Sequence, residues 1–558
     1  MANQIKFFAL GGLGEHGKNM YIVEVNDRIF ILDSGIKNPG LDLLGVDAVL
    51  PDMEYLLENK DKVKALFLSH GHIENIGAVP EVLKELNIGV YGTHFTISIL
   101  EKELTELGMN IKDYRLYRIN EDKELMFGNV KVSFYATSHS IPESLGIVIS
   151  TPDGAIVYAP DFTFSANSDK KYKTGFHRLG EISKEKVLLL LPESLGSGNI
   201  GRTVSDNILL HTVTEQLKTK GRTIFAMYSN DLDRMQKIIN IASSSNKRIA
   251  IIGKRTRKII SVAMESNYLN IPSDKFVNLK YIDDSNDNDY EDLVVIVTGE
   301  LNEPFIHVQR MASGKDRFIK IKDTDTIVLI SPHVKGYPNT FANTMNALAR
   351  TNAKVINMTK KDLRSSHASP EDLKMLYMML KPEYIAPVIG EYRHQYAHMQ
   401  VALDAGYSRE EILLLENGEV ITFLDGKLQV AKEFVPTGDV LVDGSIVGDI
   451  NSVVLKDREM LAQGGVVIIN VIVDARYKEV LAEPSIVLKG VTNNKQVEAD
   501  IYDIINEVVD DTLDYHFDEK YLDWQVIKKE IKDVVSKRIM KECGLSPIVL
   551  AVVLDEEK

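Results

Sequence analysis

Cysteine is almost absent from this chain, because Cys543 is the only one among 558 residues. A single cysteine excludes a disulfide bond within the chain and is typical of a reducing compartment. The chain also lacks an apolar run near the roughly 18 residues that span a bilayer. It has no basic amino-terminal segment followed by a long apolar stretch, so we expect a cytoplasmic protein that is neither secreted nor held in a membrane.

Positive charge is in deficit. The 80 aspartate and glutamate residues outnumber the 65 lysine and arginine residues, which leaves a net charge of −15. Such an excess argues against diffuse attraction to nucleic acid, although it allows a local basic channel. The candidate channel is the set of basic residues at 247–248 and 254–258, but a run of this kind is more often a solvated surface.

The length and the 44% of apolar residues predict a globular chain of three or four domains. Short β-rich runs fill the first 160 residues, and helical patterns follow Glu74 and Thr93, which favours a layered αββα or α/β body. From about Asp206 the chain alternates helix and strand, as a doubly wound parallel sheet does. Motifs of the first body resume at His367, so we predict that the second domain is inserted into the first.

The remaining chain has a turn-rich stretch and then a small α+β pattern of strands and two long helices. The predicted boundaries are 1–205 for the first part of the main domain, 206–357 for the inserted domain and 358–437 for the second part. A linker is predicted at 438–460 and a C-terminal domain at 461–558.

A glycine-rich segment, Gly12–Gly17, matches the G-x-G-x-x-G pattern of dinucleotide-binding loops. That function requires a helix immediately after the glycines, with its amino terminus on the pyrophosphate. The residues that follow, Lys18–Val25, have the pattern of a strand. A glycine-rich hairpin turn is therefore the favoured interpretation.

The segment 69–75 reads Ser-His-Gly-His-Ile-Glu-Asn and directly follows a buried apolar run. Histidines at His70 and His72 can direct both imidazoles at one ion. His139 and Asp161 each follow a predicted strand, and alone each is typical of a turn or a cap. Together the four residues supply three imidazoles and a carboxylate at strand ends, which is a complete ligand set for zinc or manganese.

Two further segments carry polar groups at the ends of predicted elements. Residues 365–369 precede the predicted helix Pro370–Leu380, where hydroxyl and N–H groups can bind an anion. Ser369 before Pro370 is independently a good helix cap. Asp33 ends a strand, where an Asx-type turn is the default interpretation and orientation of a ligand histidine is the alternative.

The chain resembles ribonuclease J, a bacterial ribonuclease family in the β-CASP branch of the metallo-β-lactamases. The motifs that carry the resemblance run nearly end to end, at 11–20, 45–47, 139–144, 387–393 and 435–440, beside the histidine pair at 70 and 72. The resemblance implies an α/β fold class. It implies a metallo-β-lactamase αββα fold, an inserted β-CASP α/β domain and a small C-terminal α+β domain used in oligomerisation.

The activity that the resemblance implies is 5′→3′ exonucleolytic and endonucleolytic cleavage of RNA, in mRNA decay and ribosomal RNA maturation. RNA with a 5′ monophosphate is the preferred substrate. The implied RNA- or phosphate-binding residues are Arg364, Ser365, Ser366, His367 and Ala368, together with Ser229, Asn230 and Arg234 on the inserted domain. Asp233 stands where the family usually has histidine, and Glu193 stands at its acidic position.

The family binds two metal ions, and the chain departs from it at the second. The first site matches His70, His72, His139 and Asp161, all intact. The second uses the positions of Glu74, Asn75, Asp161 and Ile389, where family members have Asp, His, Asp and His. Isoleucine has no lone pair, asparagine offers only a neutral oxygen, and glutamate is one methylene too long. We expect at most one zinc or manganese ion per subunit, or an empty site, with Glu74 as a weak general base.

The leading hypothesis is an RNA-processing subunit with weak or absent activity of its own. Bacteria with two ribonuclease J paralogues often keep one weak member that assembles with the active one, in homo- or hetero-dimers or tetramers. The alternative is a slow ribonuclease that uses one metal and acts by itself. A small-molecule hydrolase of the same superfamily is the least favoured, because the inserted domain and the anion site at 365–369 suit a polymer with a phosphate end.

Overall fold

The computed structural model describes residues 3–40, 43–164, 170–201, 203, 205–253, 257–281, 290–331, 338–430, 433–444, 446–448 and 452–556. The chain divides into two units, Met1–Asn38 with Ala48–Val440 and Pro39–Asp47 with Leu441–Lys558. Three residues of the predicted basic run, 254–256, lie outside the described residues.

The first unit contains two facing sheets. The first sheet has the strand order Lys427–Leu428, Glu419–Leu424, Gln4–Gly11, Met20–Val25, Arg28–Leu32, Val63–Phe67, Gly89–Gly92 and Leu116–Arg118, and Glu433–Phe434 pairs with Glu419–Leu424. The second has the order Tyr384–Ile385, Val187–Pro192, Gly154–Ala159, Leu145–Thr151, Val130–Ala136 and Glu124–Phe127. Short strands lie at Leu13–Gly14, Ala48–Pro51 and Gly390–Glu391.

The apolar core between the sheets takes alternate side chains from both of them, as the two-residue period of a strand requires. Phe7, Phe30 and Phe67 of the first sheet pack in one cluster with Phe134 and Tyr158 of the second. The outer faces are covered by helices, at Val79–Leu86 and His94–Glu106 on one side and at Phe176–Ile182, Pro370–Leu380 and Tyr392–Asp404 on the other. The predicted αββα body is confirmed. Shorter helices lie at Glu54–Glu58 and Ile73–Ile76.

The inserted domain has one parallel sheet, in the order Arg248–Ile252, Leu293–Gly299, Thr223–Tyr228, Thr326–Leu329 and Lys354–Asn357. The internal strand Leu293–Gly299 is buried along its whole length, as expected where helices cover both faces. These helices are Asn207–Leu217, Leu232–Ser244, Arg257–Glu265, Glu303–Ala312 and Pro338–Ala349. The insertion of a doubly wound α/β domain is therefore also confirmed.

The second unit has a sheet in the order Glu479–Lys489, Val466–Asp474 and Ile548–Asp555. Helices Lys495–Phe517 and Trp524–Cys543 cover one face, where Val467, Ile469 and Val471 are buried. The neighbours at alternate positions of the same strand are half-buried and lie on the opposite face. This is the predicted small α+β domain.

The turn-rich stretch predicted as a linker is more ordered than its composition suggests. It contains the paired strands Asp439–Asp443 and Ile446–Val447, and the helix Ser452–Gly464 follows. Its glycines do make turns, with φ +58° at Gly444 and +82° at Gly448. Segments this short, with glycine between them, carry too little periodicity for sequence patterns to detect.

Candidate metal centre

Three histidine side chains converge at the carboxyl end of the strand Val63–Phe67. His70 and His72 lie on the loop that follows this strand, and His139 lies after the strand Val130–Ala136 of the other sheet. Nδ1 of His72 is 3.0 Å from Nε2 of His70 and 3.2 Å from Nε2 of His139. The loops of two sheets thus bring together the three histidines that the sequence predicted as ligands.

The spacing of these nitrogens fits a bound transition metal. Ligand atoms 2.0–2.1 Å from a tetrahedral zinc ion lie about 3.4 Å apart. The three histidine nitrogens lie slightly closer together than this, so they would need to move apart only slightly to bind the ion. Oδ2 of Asp161 is 3.4 Å from Nε2 of His70 and is the candidate for the fourth ligand atom. The residues present therefore fit the ion that the sequence predicts at this position.

Hydrogen bonds on the far side of two rings aim their ligand nitrogens inward. Nδ1 of His139 lies 2.8 Å from the carbonyl oxygen of Ser366, which can only accept, so this nitrogen carries the hydrogen. Nδ1 of His70 lies 2.9 Å from Oγ of Ser69. In both rings the Nε2 lone pair is left for a metal, as the neighbours of metal-binding histidines usually arrange.

Asp33 supports His70 through Ser69. Its carboxylate accepts hydrogen bonds from the amide and hydroxyl of Ser69, from Nδ2 of Asn75 and from the hydroxyl of Tyr158, each at 2.7 Å. Burial raises the pKa of Asp33 to about 6, against these lowering hydrogen bonds. Because Ser69 Oγ donates to Asp33, it accepts from His70, and the histidine keeps the required tautomer. The alternative that Asp33 orients a ligand histidine agrees with this geometry.

Burial keeps the rings of His70 and His139 neutral. It lowers the pKa of His70 to about 3 and the pKa of His139 well below its ordinary value. Burial would raise the pKa of Asp161, but His367, His139 and His70 outweigh it and hold that pKa well below the ordinary range. Neutral imidazoles beside an ionised carboxylate are the protonation states that a metal needs.

The residues expected at the family's second metal site, Glu74, Asn75 and Ile389, do not form a ligand set with Asp161. Nδ2 of Asn75 is committed to Asp33, and Ile389 is buried in the apolar cluster between the sheets. Within the described part of the chain, two groups of ligand-type atoms lie within 4.8 Å of one another, and neither includes Glu74. Glu74 remains half-buried on the short helix Ile73–Ile76, beside the histidines in sequence.

The second of these groups contains Asp161, Glu193 and His367. Nδ1 of His367 is 2.8 Å from Oδ1 of Asp161 and 2.9 Å from Oε2 of Glu193. Burial would lower the pKa of His367, but the two carboxylates raise it well above its ordinary value. Burial raises the pKa of Glu193 to about 7, against His367. Sequence patterns did not place His367 beside Asp161, because 206 residues separate them. The signal available in the sequence was that Asp161 directly follows a buried element and His367 directly precedes one.

The segment predicted to bind a phosphate is engaged in internal hydrogen bonds. The amide of His367 donates to Oγ of Ser365, and the amide of Ala368 donates to Glu193. Ser366 holds His139 through its carbonyl oxygen. Ser369 and Asp372 form a capping box at the start of the helix Pro370–Leu380, as the cap prediction required.

The predicted arginines lie in a buried network of acids and bases between the two domains. Nη2 of Arg364 is 2.7 Å from Asp233, and Arg234 pairs with Asp231 and with Asp206. Lys237 joins the same acids, at 3.0 Å from Asp206 and 2.7 Å from Asp233. Burial would raise the pKa of Asp206, but Arg234, Lys237 and Arg364 hold it at about 2. Three carboxylates thus neutralise three cations.

The inserted domain also touches the metal centre through backbone hydrogen bonds. The amides of Leu232 and Asp233, at the start of the helix Leu232–Ser244, donate to the carbonyl oxygen of Ser140, at 3.0 and 3.3 Å. Ser229, which the resemblance implied as an RNA contact, is fully buried, and Asn230 is half-buried in the turn before this helix. The loop that carries His139 is therefore fixed by the inserted domain.

Family models match four stretches of the chain. They are the metallo-beta-lactamase superfamily at 13–198, the ribonuclease J beta-CASP domain at 220–348, the Zn-dependent metallo-hydrolase RNA specificity domain at 355–412 and the ribonuclease J C-terminal domain at 453–556. Two of these models describe metal-dependent hydrolases, which agrees with the geometry of the histidine cluster. Among the described residues, no helix is long and apolar enough to cross a membrane.

Known proteins match over nearly the full length. Ribonuclease J 2 of Staphylococcus aureus (strain NCTC 8325 / PS 47) is 36% identical over 550 residues, and Ribonuclease J 2 of Staphylococcus epidermidis is 35% identical over 553. Each match covers 98% of both chains. A crystal structure of a protein of unknown function from Enterococcus faecalis V583 matches with a TM-score of 0.52 and 17% identity, covers 75% of this chain and 100% of its own, and supports the fold alone. The chain belongs to the ribonuclease J family.

Proposed function

We propose that this chain processes RNA as a ribonuclease J-type subunit whose own activity is weak or absent, and that it works beside an active paralogue. The observation that carries this proposal is the contrast within one site. Two histidine nitrogens, of His70 and His139, lie within 3.2 Å of His72 Nδ1, whereas Asn75 and Ile389 supply nothing to a second ion. The proposed reactions are 5′→3′ exonucleolytic and endonucleolytic cleavage, in mRNA decay and ribosomal RNA maturation.

The proposed ion is a single zinc or manganese held by His70, His72, His139 and Asp161. When bound, such an ion lowers the pKa of a coordinated water and polarises a phosphoryl oxygen. Glu74 lies on the helix that follows His72 and is the candidate for a weak general base. The protein supplies the orientation: Ser69 and Ser366 fix two of the rings before any ligand arrives.

The proposed substrate is RNA with a 5′ monophosphate, bound near Ser365, Ser366 and His367. A phosphate that approaches Arg364 must compete with Asp233, which is already 2.7 Å from the guanidinium. Charge-assisted contacts of this kind are strong, so an internal carboxylate lowers the affinity for an external phosphate. Weak binding of the 5′ end is therefore a second reason to expect little activity from the isolated chain.

The proposed partner is another ribonuclease J chain, and the C-terminal sheet offers a surface for it. The face opposite the helices carries Leu550 and Leu554, which are 47% and 53% exposed, beside Val487, Ile468 and Ile472. Exposed apolar side chains on a sheet face, here interrupted by Asn470 and Ser485, are typical of a subunit interface. The same face would serve in homo- or hetero-dimers, and a tetramer needs a further contact.

The test combines cleavage with co-purification. The purified full chain is incubated with 5′-monophosphorylated RNA and manganese or zinc, next to the variant His70→Ala/His72→Ala. We expect slow cleavage or none, and recovery of an active ribonuclease J with the tagged chain. Leu550→Glu should abolish that recovery, whereas Met378→Glu, an exposed position of the first unit, should keep it. Failure of the unaltered chain to recover any active ribonuclease J would contradict the partnership.

A slow ribonuclease that acts by itself is the second candidate, because the first ligand set is complete. This candidate function differs from the first in one measurable way. The isolated chain should cleave RNA faster than the variant His70→Ala/His72→Ala does. Cleavage that is equal in both proteins assigns the function to the complex.

A further inference from the structure

Asp161 presents its two carboxylate oxygens to different neighbours. Oδ2 lies toward the three histidines, 3.4 Å from Nε2 of His70. Oδ1 is buried and accepts no hydrogen bond, although Nδ1 of His367 is only 2.8 Å away. A buried carboxylate oxygen without a hydrogen-bond donor is costly unless a cation neutralises it.

Glu193 and His367 face the same oxygen from two directions. Glu193 is fully buried, and its Oε1 accepts the amides of Phe162 and Ala368, both at 2.9 Å. These bonds fix the carboxylate so that Oε2 is directed at Nδ1 of His367, 2.9 Å away. Two carboxylate oxygens and one imidazole nitrogen thus meet at one point.

The distances fit an octahedral cation. Neighbouring ligands of an octahedral ion at about 2.1 Å lie about 3.0 Å apart. The observed separations from His367 Nδ1 are 2.8 and 2.9 Å. Two carboxylates with one imidazole suit manganese better than a thiolate-preferring metal. The His367 side chain is 34% exposed, so the remaining coordination positions are open to water or to a phosphate oxygen.

We propose that Asp161, Glu193 and His367 bind a second divalent cation, with manganese as the matching ion. The proposed site differs from the lost positions at Asn75 and Ile389, and it raises the expected content from one ion per subunit to two. Asp161 bridges the two ions through its separate oxygens. A role of this site in RNA cleavage depends on the proposed function, but its occupancy does not.

A proton is the competing occupant of the same place. An imidazolium at His367 between two carboxylates would neutralise Asp161 and Glu193 without any metal, and both carboxylates favour it. Metal binding requires the Nδ1 hydrogen to leave, so the two states exclude each other. Counting ions in the full-length protein therefore decides between them.

The experiment measures manganese bound to the chelator-treated full chain after dialysis against manganese chloride, by elemental analysis and by electron paramagnetic resonance. We expect two ions per chain, with a signal broadened by coupling through Asp161. Glu193→Gln should leave one ion, because the glutamine oxygen can still accept both amides while the second oxygen is lost. His72→Ala should also leave one, and the double variant none. The second ion should bind at least about tenfold more weakly to Glu193→Gln than to the unaltered chain.

Matched controls remove the same residue types elsewhere. Glu371→Gln and His177→Asn are exposed and should both keep two ions. Thermal unfolding identifies any variant that fails to fold, and His367→Ala, at a partly exposed position, replaces Glu193→Gln in that case.

The proposal would be wrong if the unaltered chain bound one ion and if Glu193→Gln and His367→Ala also bound one. A proton on His367 would then neutralise the two carboxylates. RNA binding measured on the same samples separates this outcome from the proposed function. If the chain binds RNA but holds only one ion, the proposed second site is wrong and the proposed function is unaffected. Two ions with no RNA binding, with or without the partner, support the second site and contradict the proposed function.

Discussion

The two sides of the candidate metal centre differ in the side chains that they present. On one side, the ring nitrogens of His70, His72 and His139 converge, and burial keeps the rings of His70 and His139 neutral. On the other side, at positions that the resemblance matches to the family's second metal site, the side chain of Asn75 is bonded to Asp33 and that of Ile389 lies in the apolar core. The difference lies in the donor atoms, because the strands and loops that carry both halves are complete.

The backbone at Ile389 has an unusual conformation. Ile389 has φ +55°, a conformation that a β-branched residue rarely adopts. It is held there because Leu13–Gly14 pairs with Gly390–Glu391 and because the amide of Ile389 donates to the hydroxyl of Tyr21. The pairing of the neighbouring strands and the bond to Tyr21 therefore hold this loop in place whether or not its side chain can bind a metal.

Removal of a ligand from the histidine cluster should have the largest effect on RNA cleavage. His72→Ala takes away the nitrogen that lies between His70 and His139, so the first ion should be lost. A bound ion contributes several kcal/mol to the stabilisation of a phosphoryl transition state, on the order of 10³-fold in rate. Any cleavage of 5′-monophosphorylated RNA should fall to background in a gel assay. Unchanged cleavage in His72→Ala would place the activity in a contaminant or at another site.

Restoration of the altered half is the converse experiment. Glu74→Asp/Asn75→His/Ile389→His introduces the three side chains that the resemblance implies for the family's second metal site. The introduced side chains would hold an ion that can stabilise charge on the phosphoryl group, and we expect an increase on the order of 10²-fold in cleavage rate. The rate is measured with the same RNA and manganese as above.

The matched control for restoration is Asn75→His alone, which removes the amide donor to Asp33 without completing the site. It should leave the rate unchanged or lower it. If the triple variant behaves like the single one, the side chains at 74, 75 and 389 do not limit the rate of cleavage.

The fold and the intact half of the site could be predicted from sequence because their signals are local. Buried strands have a two-residue period, and the histidines stand directly at the ends of such strands. The pairing of Asp161 with His367 and the neutralisation of Arg364 by Asp233 could not be predicted, because they depend on which loops the folded chain brings together. The order in the stretch 438–460 was missed for a different reason: its strands are too short to show a period.

The hydrogen bonds that orient His70 should contribute less to metal binding than the ligands themselves. Asp33→Asn replaces an acceptor of three side-chain hydrogen bonds with a group that also donates, so Ser69 loses part of its hold on the ring. The affinity of the first site for zinc should fall about 10- to 100-fold, as is usual for residues that orient a ligand. Asparagine tolerates the φ of +61° at this position, so the change does not strain the backbone.

Competition titration with a zinc chelator measures the affinity of the first site. Ser69→Ala interrupts the same connection from the other side and should lower the affinity in the same direction. An Asp33→Asn protein that binds zinc as tightly as the unaltered chain would show that His70 is oriented without this network.

The smallest expected effect concerns the entry of the substrate rather than the metal. Asp233→Asn removes one of the two carboxylates beside Arg364 and Lys237 and leaves Asp206, so both cations are held less strongly against an external phosphate. The affinity for 5′-monophosphorylated RNA should rise by about 1 kcal/mol, roughly fivefold, with a steeper salt dependence. Fluorescence polarisation against the same RNA with a 5′ hydroxyl isolates the contribution of the phosphate. Asp274→Asn, an exposed position of the inserted domain, controls for the change in net charge. If Asp233→Asn binds both RNAs no better than Asp274→Asn does, Arg364 stabilises the contact between the two domains and does not receive the 5′ end.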